Sequence, residues 1–422
     1  MLLIVIFLVS PQLKLLNSNA TYFDLQIYVN KIKNYNFLFE LNKNHFEPFL
    51  YLFSLVNKVF SDLSLGQILI LFQSFFLLMP IIFFKSIKLK IFYLINPLIW
   101  NLNLFDFHPE SILFLITFII VINMNRNIIL LVLLTSCLLL IKEVSIIIIP
   151  SLILLILQFK NIKYLKVNFL YFLSFVYSLM ILIFFNMEIV KIEKNFLNFV
   201  FSFKYLLFIL IQIIFLFLLN KFNRKNLLIL YCIPVNLIFL LFAKYSQISI
   251  FSHHYFYLIS PLIIYGILEK SIFIFYFMFI YTLTLSGFPL SLVSLTNSFS
   301  TFSIYNYLPD NESNEYRNFL INRFDYLNEY KIIIDNNAIN DITTKFDNIN
   351  PYPVINNFDE SEDTFKELVN GNDMLYIIKK NDFYFDIDKK LKNLNDKRIF
   401  LLNKTKKIIF ENDRYLIFRI YI

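Results

Sequence analysis

A chain of 422 residues that is 58% hydrophobic, 19% aromatic and only 16% charged, with a mean hydropathy of +0.64, lacks the charged surface of a water-soluble globule, which needs roughly a quarter of its residues charged. The same figures exclude a disordered chain. Cys137 and Cys232, the only two cysteines, lie inside apolar runs and read as small core residues, not as a disulfide or a metal pair.

Apolar runs long enough to cross a bilayer, about 20 residues with allowance for tilt, recur from the first residue to about 287. They predict an α-helical polytopic membrane protein of about eleven transmembrane helices. The runs lie at 2–16, 65–84, 89–103, 109–124, 127–141, 145–159, 168–186, 205–220, 227–243, 255–268 and 271–288. The first has no basic leader and no small-residue cleavage site after it, so an uncleaved helix is expected. A long loop, 17–64, separates the first two runs. Its stretch 46–60 has apolar residues at helical spacing and is expected to lie along the interface, and 187–204 is a weaker case of the same kind.

The net charge of +8 is unevenly divided. Residues 1–299 carry 21 Lys and Arg against 10 Asp and Glu, and residues 300–422 carry 17 against 20. Connections after the second, fourth, sixth, eighth and tenth runs hold Lys85, Lys88, Lys90, Arg126, Lys160, Lys163, Lys166, Lys221, Arg224, Lys225 and Lys270 with a single acid, Glu269. These are the cytoplasmic loops by the positive-inside rule, so the basic excess reflects orientation in a cytoplasmic (plasma) membrane and no nucleic-acid partner is expected. The opposite loops carry the other nine acids of this part and all four histidines.

The chain thus divides into a polytopic transmembrane domain, 1–299, and a domain at 300–422 whose composition changes sharply at Pro309. The second is expected to be a small α/β domain on the extracytoplasmic side. Its β-like runs are 331–335, 374–379, 399–402, 407–410 and 414–421, with helix-like segments at 314–328 and 359–370.

Several polar residues stand where apolar ones would be expected. Asp24 lies just beyond the first run, directly after Tyr22 and Phe23, where a carboxylate is costly unless it has a partner or a task; a solvated loop acid is the plainer alternative. In Phe105, Asp106, Phe107, His108, Pro109 and Glu110, an extended backbone ahead of the proline would set Asp106 and His108 on one side. Two carboxylates and an imidazole so close can bind a divalent cation such as Mg or Mn, or orient a general base. Capping of the next helix would account for Asp106 and Pro109 alone. Lys142 and Glu143 interrupt an apolar run, at a tight outer turn or facing a polar pocket, with Lys142 available to an anionic group such as a phosphate. His45, Glu47, His253 and His254 complete the outer set. Walker, dinucleotide, C-x-x-C and H-E-x-x-H motifs are missing, and Gly- or Pro-broken helices in matched halves, a transporter mark, are not visible.

These residues carry a resemblance. The order Asp24, Leu25, Gln26, Ile27, Tyr28, then Asn44, His45, Phe46 and Pro48, then Gln73, Asn96, Pro97, Asp106 to Glu110, Lys142, Glu143, His254 and Tyr255 resembles the multi-pass prokaryotic membrane proteins catalogued as domain of unknown function 2079. The likeness covers roughly 20–270. That family is in turn similar to the GT-C superfamily of membrane glycosyltransferases, which take sugars from polyprenyl-phosphate carriers. The resemblance implies a catalytic carboxylate at Asp24 and an envelope glycan or protein as acceptor. With the outer polar set, it gives Asp106, His108 and Glu110 a metal or the acceptor to hold, and Lys142 and His254 the phosphate to meet. Two other expectations fit the composition: a transporter or flippase of a lipid-linked or anionic solute, and a non-catalytic membrane scaffold presenting its tail.

Overall fold

A computed structural model describes residues 1–17, 25–33, 47–60, 63–104, 107–123, 128–141, 310–335, 338–352, 374–380 and 406–420, with isolated positions 145, 152, 156, 295 and 308. The chain divides into two compact units. One comprises Met1–Asn34, Phe53–Phe72 and Ser294–Ile422, and the other Tyr35–Leu52 and Gln73–Val293.

The described residues are mostly helical, with a small C-terminal sheet. Helix α1, Leu2–Leu16, coincides with the first apolar run. Helix α2, Leu25–Lys33, and helix α3, Leu50–Val59, follow in the long first loop, and α3 falls inside the predicted stretch 46–60. Helix α4, Leu65–Leu78, opens on a capping box. The Ser64 backbone N–H donates to Gln67 Oε1 at 3.0 Å, and the Gln67 N–H donates to Ser64 Oγ at 3.2 Å. It continues as a 3-10 segment, Met79–Phe83. Leu65–Phe83, 19 residues, is the one helix among the described residues long and apolar enough to cross a membrane, a test that a buried core helix of a soluble protein also passes.

The run 89–103, expected to be one helix, is two. Helix α5, Ile87–Leu94, stops before helix α6, Pro97–Leu104. Pro97 has no N–H and disfavours a helical Asn96, so the first helix ends and the Asn96 carbonyl starts the second by accepting from Ile99 and Trp100. Each piece is about 12 Å long, well short of the roughly 30 Å hydrocarbon core. Tyr93 and Trp100 brace the break, donating to the carbonyls of Leu77 and Leu94 at 2.5 and 2.6 Å. Helix α7, Glu110–Ile122, begins at Pro109, and helix α8, Ile128–Cys137, tightens into a 3-10 turn, Leu138–Leu140. The predicted runs from 145 onward and the stretch 187–204 lie outside the described residues, those isolated positions apart.

On these helices the distribution of polarity is partly inverted: Phe7, Leu15, Leu69 and Leu113 are buried as in any core, yet apolar side chains also face outward and polar ones are hidden. Helix α1 exposes Leu2, Val5, Val9 and Leu13 along one stripe while it buries Ser10 and Lys14. Helix α4 exposes Leu71 and Phe75 and buries Gln73 and Ser74; α7 buries Glu110, Ser111 and Thr117. Helix α8 exposes Ile129, Leu130 and Leu133, and Cys137 at its end is exposed too, which corrects the expectation of a core cysteine there. Cys137 shares the outward stripe of an apolar helix, so an apolar neighbourhood in sequence did not mean an interior position.

The C-terminal part is built the ordinary way round. Helix α9, Asn311–Asn322, is capped by Asp310, whose carboxylate accepts from the Ser313 N–H at 2.7 Å and from Arg414 at 2.8 Å. Helix α10, Phe324–Asn328, leads into strand β1, Lys331–Asp335. A 3-10 turn, Thr343–Lys345, precedes β2, Ile349–Tyr352, and β3, Met374–Lys379, β4, Lys406–Glu411, and β5, Tyr415–Ile420, complete a five-stranded mixed sheet of order β2-β1-β3-β5-β4. Strands β1, β2 and β3 run parallel and β5 runs antiparallel to β3 and β4. One face of the core joins Ile333, Met374, Tyr376, Ile378, Leu416 and Phe418. Above β5, the Tyr316 ring stacks on Tyr415 at 4.2 Å and its hydroxyl donates to the Ala338 carbonyl at 2.9 Å. The expected strands 331–335 and 374–379 are present, β2 was not anticipated, and 399–402 and 359–370 lie outside the described residues.

Candidate functional site

Several of the polar residues buried in the second unit, Gln73, Ser74, Asn103, His108, Glu110 and Ser111, stand at or beside the loop between α6 and α7. Gln73, in the middle of α4, is fully buried and uses both ends of its amide. Its Nε2 donates to the Leu102 carbonyl at 3.2 Å and its Oε1 accepts the His108 backbone N–H at 3.0 Å. One side chain of α4 therefore ties the end of α6 to His108, just ahead of α7. The neighbouring Ser74 donates to Asn103 Oδ1 at 2.7 Å, a second tie between α4 and α6.

His108 follows directly from this clamp. Its carbonyl accepts from the Ser111 N–H at 3.1 Å and from Ser111 Oγ at 3.0 Å, bonds that fix the first turn of α7 in place of a side-chain cap from Pro109. Glu110 is the first residue of that turn. The His108 Nδ1 and Glu110 Oε2 atoms stand 3.7 Å apart, with side-chain exposures of 1% and 0%. An imidazole and a carboxylate withdrawn from water among apolar helices are expensive, and they favour a shared proton, a cation or a polar substrate between them.

Of the residues singled out in the sequence, His108 and Glu110 are brought together. Asp24, His45, Asp106, Lys142, Glu143, His253 and His254 lie outside the described residues. Glu47 is buried, and its segment is tied to the ground just ahead of Lys142: the Phe49 N–H donates to the Leu140 carbonyl at 3.0 Å. Among the described residues no group of three or more His, Cys, Asp and Glu is placed to hold a metal ion, and His108 with Glu110 supplies two of the three ligands expected there.

Sequence reasoning passed over Gln73 as a positioning residue, noting it only within a resemblance, and it passed over Ser74 and Asn103. The available signal was their polarity inside apolar runs, the feature that drew attention to Lys142 and Glu143. No protein-family model, no curated protein and no solved structure matches the chain.

Proposed function

We propose that the chain is an integral multi-pass membrane protein with its C-terminal domain on the extracytoplasmic side, and that it is a GT-C-type glycosyltransferase. The observation that supports the membrane reading is the partly inverted polarity of α1 and α4, with the outward apolar stripe of α8. Leu, Val, Ile and Phe stripes face outward while Ser10, Lys14, Gln73 and Ser74 face inward, and the buried Glu110 of α7 has the same sense. In water that arrangement is unfavourable and in lipid it is favourable, because hydrocarbon replaces water outside the helices and polar groups find partners only inside.

The transferase reading is supported by the His108 and Glu110 pair, by the amide clamp that holds its loop, and by the order of residues from Asp24 to Tyr255. In that reading a carboxylate, Asp24, takes the proton of an acceptor hydroxyl. The oxygen attacks the anomeric carbon of a polyprenyl-phosphate-linked sugar, the bond from that carbon to the phosphate oxygen breaks, and the phosphate leaves with the electron pair. His108 and Glu110, with Asp106, orient the acceptor or hold a divalent cation, and Lys142 and His254 meet the phosphate charge. The break between α5 and α6 favours a second reading, transport or flipping of a lipid-linked solute, since interrupted helices supply binding sites in many transporters.

Mass spectrometry of the polyprenyl-phosphate lipid pool in cells carrying the wild-type gene, a deletion or Asp24→Asn separates the two. A sugar-loaded lipid that accumulates in both altered strains supports transfer and identifies the donor. A change in the deletion but not in Asp24→Asn supports transport.

A further inference from the structure

Within the first unit, three contacts from the N-terminal helices converge on one short stretch of the C-terminal domain, residues 344–349. Lys33, in the last turn of α2, donates to the carbonyls of Lys345 and Phe346, each at 2.8 Å, and its Nζ lies 3.6 Å from the Asp347 carboxylate. These carbonyls end the 3-10 turn Thr343–Lys345, where a helix has acceptors without intrahelical donors and a cation is favoured. Asn30, one turn earlier on the same face, donates to the Ile349 carbonyl of β2 at 2.6 Å and accepts from Gln26 at 2.9 Å, so a relay of amides runs from the first turn of α2 to the edge of the sheet.

The third contact is steric. A Cβ on Gly66, in the first turn of α4, would stand 2.8 Å from Thr344 Cγ2 and 2.9 Å from Thr344 Oγ1, closer than such atoms approach. The chain contains only four glycines, and one of them stands where a side chain would push this turn away.

We propose that the C-terminal domain is the anchor of helix Leu25–Lys33. Asn30 and Lys33 are the positioning residues, and Gly66 provides the close approach that lets them reach. Two consequences follow. Asp24 is the residue immediately before this helix in the sequence, so on the transferase reading the C-terminal domain belongs to the functional apparatus and is not an appended module. Where the chain spans a membrane, a first loop and a tail that touch must share one side, so an even number of crossings separates residue 64 from residue 310. The sidedness rests on the membrane reading; the anchoring does not.

Zero-length carbodiimide coupling of the full chain in its native fraction tests both. Asp347, 71% exposed, is open to the reagent and Lys33 is within reach, so a Lys33–Asp347 linked peptide is expected after digestion and mass spectrometry. Gly66→Ala should abolish that peptide, and adding Thr344→Ala should restore it by making room, a rescue that general misfolding would not give. In a chain with Cys137→Ser and Cys232→Ser, a membrane-impermeant maleimide should reach Lys58→Cys and Asn318→Cys from the same side. A wild-type chain without the linked peptide, an unchanged yield in Gly66→Ala, or labels on opposite sides would overturn the proposal. A chain that gives the linked peptide but is found free of membranes would overturn the membrane reading and leave the anchoring in place.

Discussion

The C-terminal domain and the helices between residues 2 and 141 both bury apolar side chains but differ in what they leave outside: the helices expose many large apolar residues, the domain few among its described residues. In the domain, Phe418, Tyr376 and Ile333 are buried, and Arg317 binds Asp341 in a two-pronged pair at 2.9 and 2.7 Å near the rim. In the helices, Val9 and Leu133 face out while Lys14 and Glu110 are hidden. That difference is what the proposed membrane reading expects of two parts in different surroundings. Composition alone averages the two, whereas the residue-by-residue burial separates them.

Substitutions that offend one pattern but not the other sharpen this contrast. The largest effect is expected from Phe418→Ala, which opens a cavity in the water-type core and should cost about 3–5 kcal/mol, read as a loss of cooperative melting of the C-terminal domain. Val9→Asp, exposed in the structure and harmless in a soluble protein, should cost about 2.5–3.5 kcal/mol of membrane insertion and empty the membrane fraction, while Asn318→Asp on the exposed side of α9 leaves it full. Equal yields from Val9→Asp and wild type would break the comparison. Gln73→Leu removes the acceptor used by the His108 N–H and the donor used by the Leu102 carbonyl. A loss of about 1–3 kcal/mol is expected, seen as a lower melting temperature in detergent.

The smallest effect is expected from Tyr316→Phe, at about 1 kcal/mol for the lost bond to Ala338. Burial, together with the neighbouring Tyr415 and Asp335, raises the Tyr316 phenol well above its ordinary value of 10.0. A raised phenol pKa means that folding favours the neutral form. That stabilisation is complete below pH 10.0 and is lost as the pH climbs past it, so the substitution should flatten the alkaline limb of the domain's melting profile.

Local patterns were legible wherever the chain itself decided the outcome. The run 2–16 became α1, and the short apolar runs Ile332 to Ile334 and Met374 to Ile378 became β1 and β3, because apolar patterning and β-branched content act within a few residues. Strand β2 escaped because Ile349, Asn350, Pro351 and Tyr352 read as a turn. Pro351 is tolerated since β2 is an edge strand, paired only with β1, where a missing N–H costs no second ladder. The break at Asn96 was hidden from hydropathy, which is blind to a proline's lost donor. In the site, His108 and Glu110 were found because they are close in sequence. Gln73 acts on residues 29 and 35 positions away, and Lys33 on carbonyls more than 300 positions away, so their roles appear only after folding.

The partly inverted polarity is tested most directly by a nitroxide label placed at Val9→Cys and, separately, at Asn318→Cys in the full chain lacking its own two cysteines. Electron paramagnetic resonance then compares collisions with oxygen, which concentrates in hydrocarbon, against collisions with a water-soluble nickel chelate. The account predicts that the label at residue 9 meets oxygen and is shielded from nickel, and that the label at residue 318 shows the reverse. Equal and high access of nickel to both positions would contradict it.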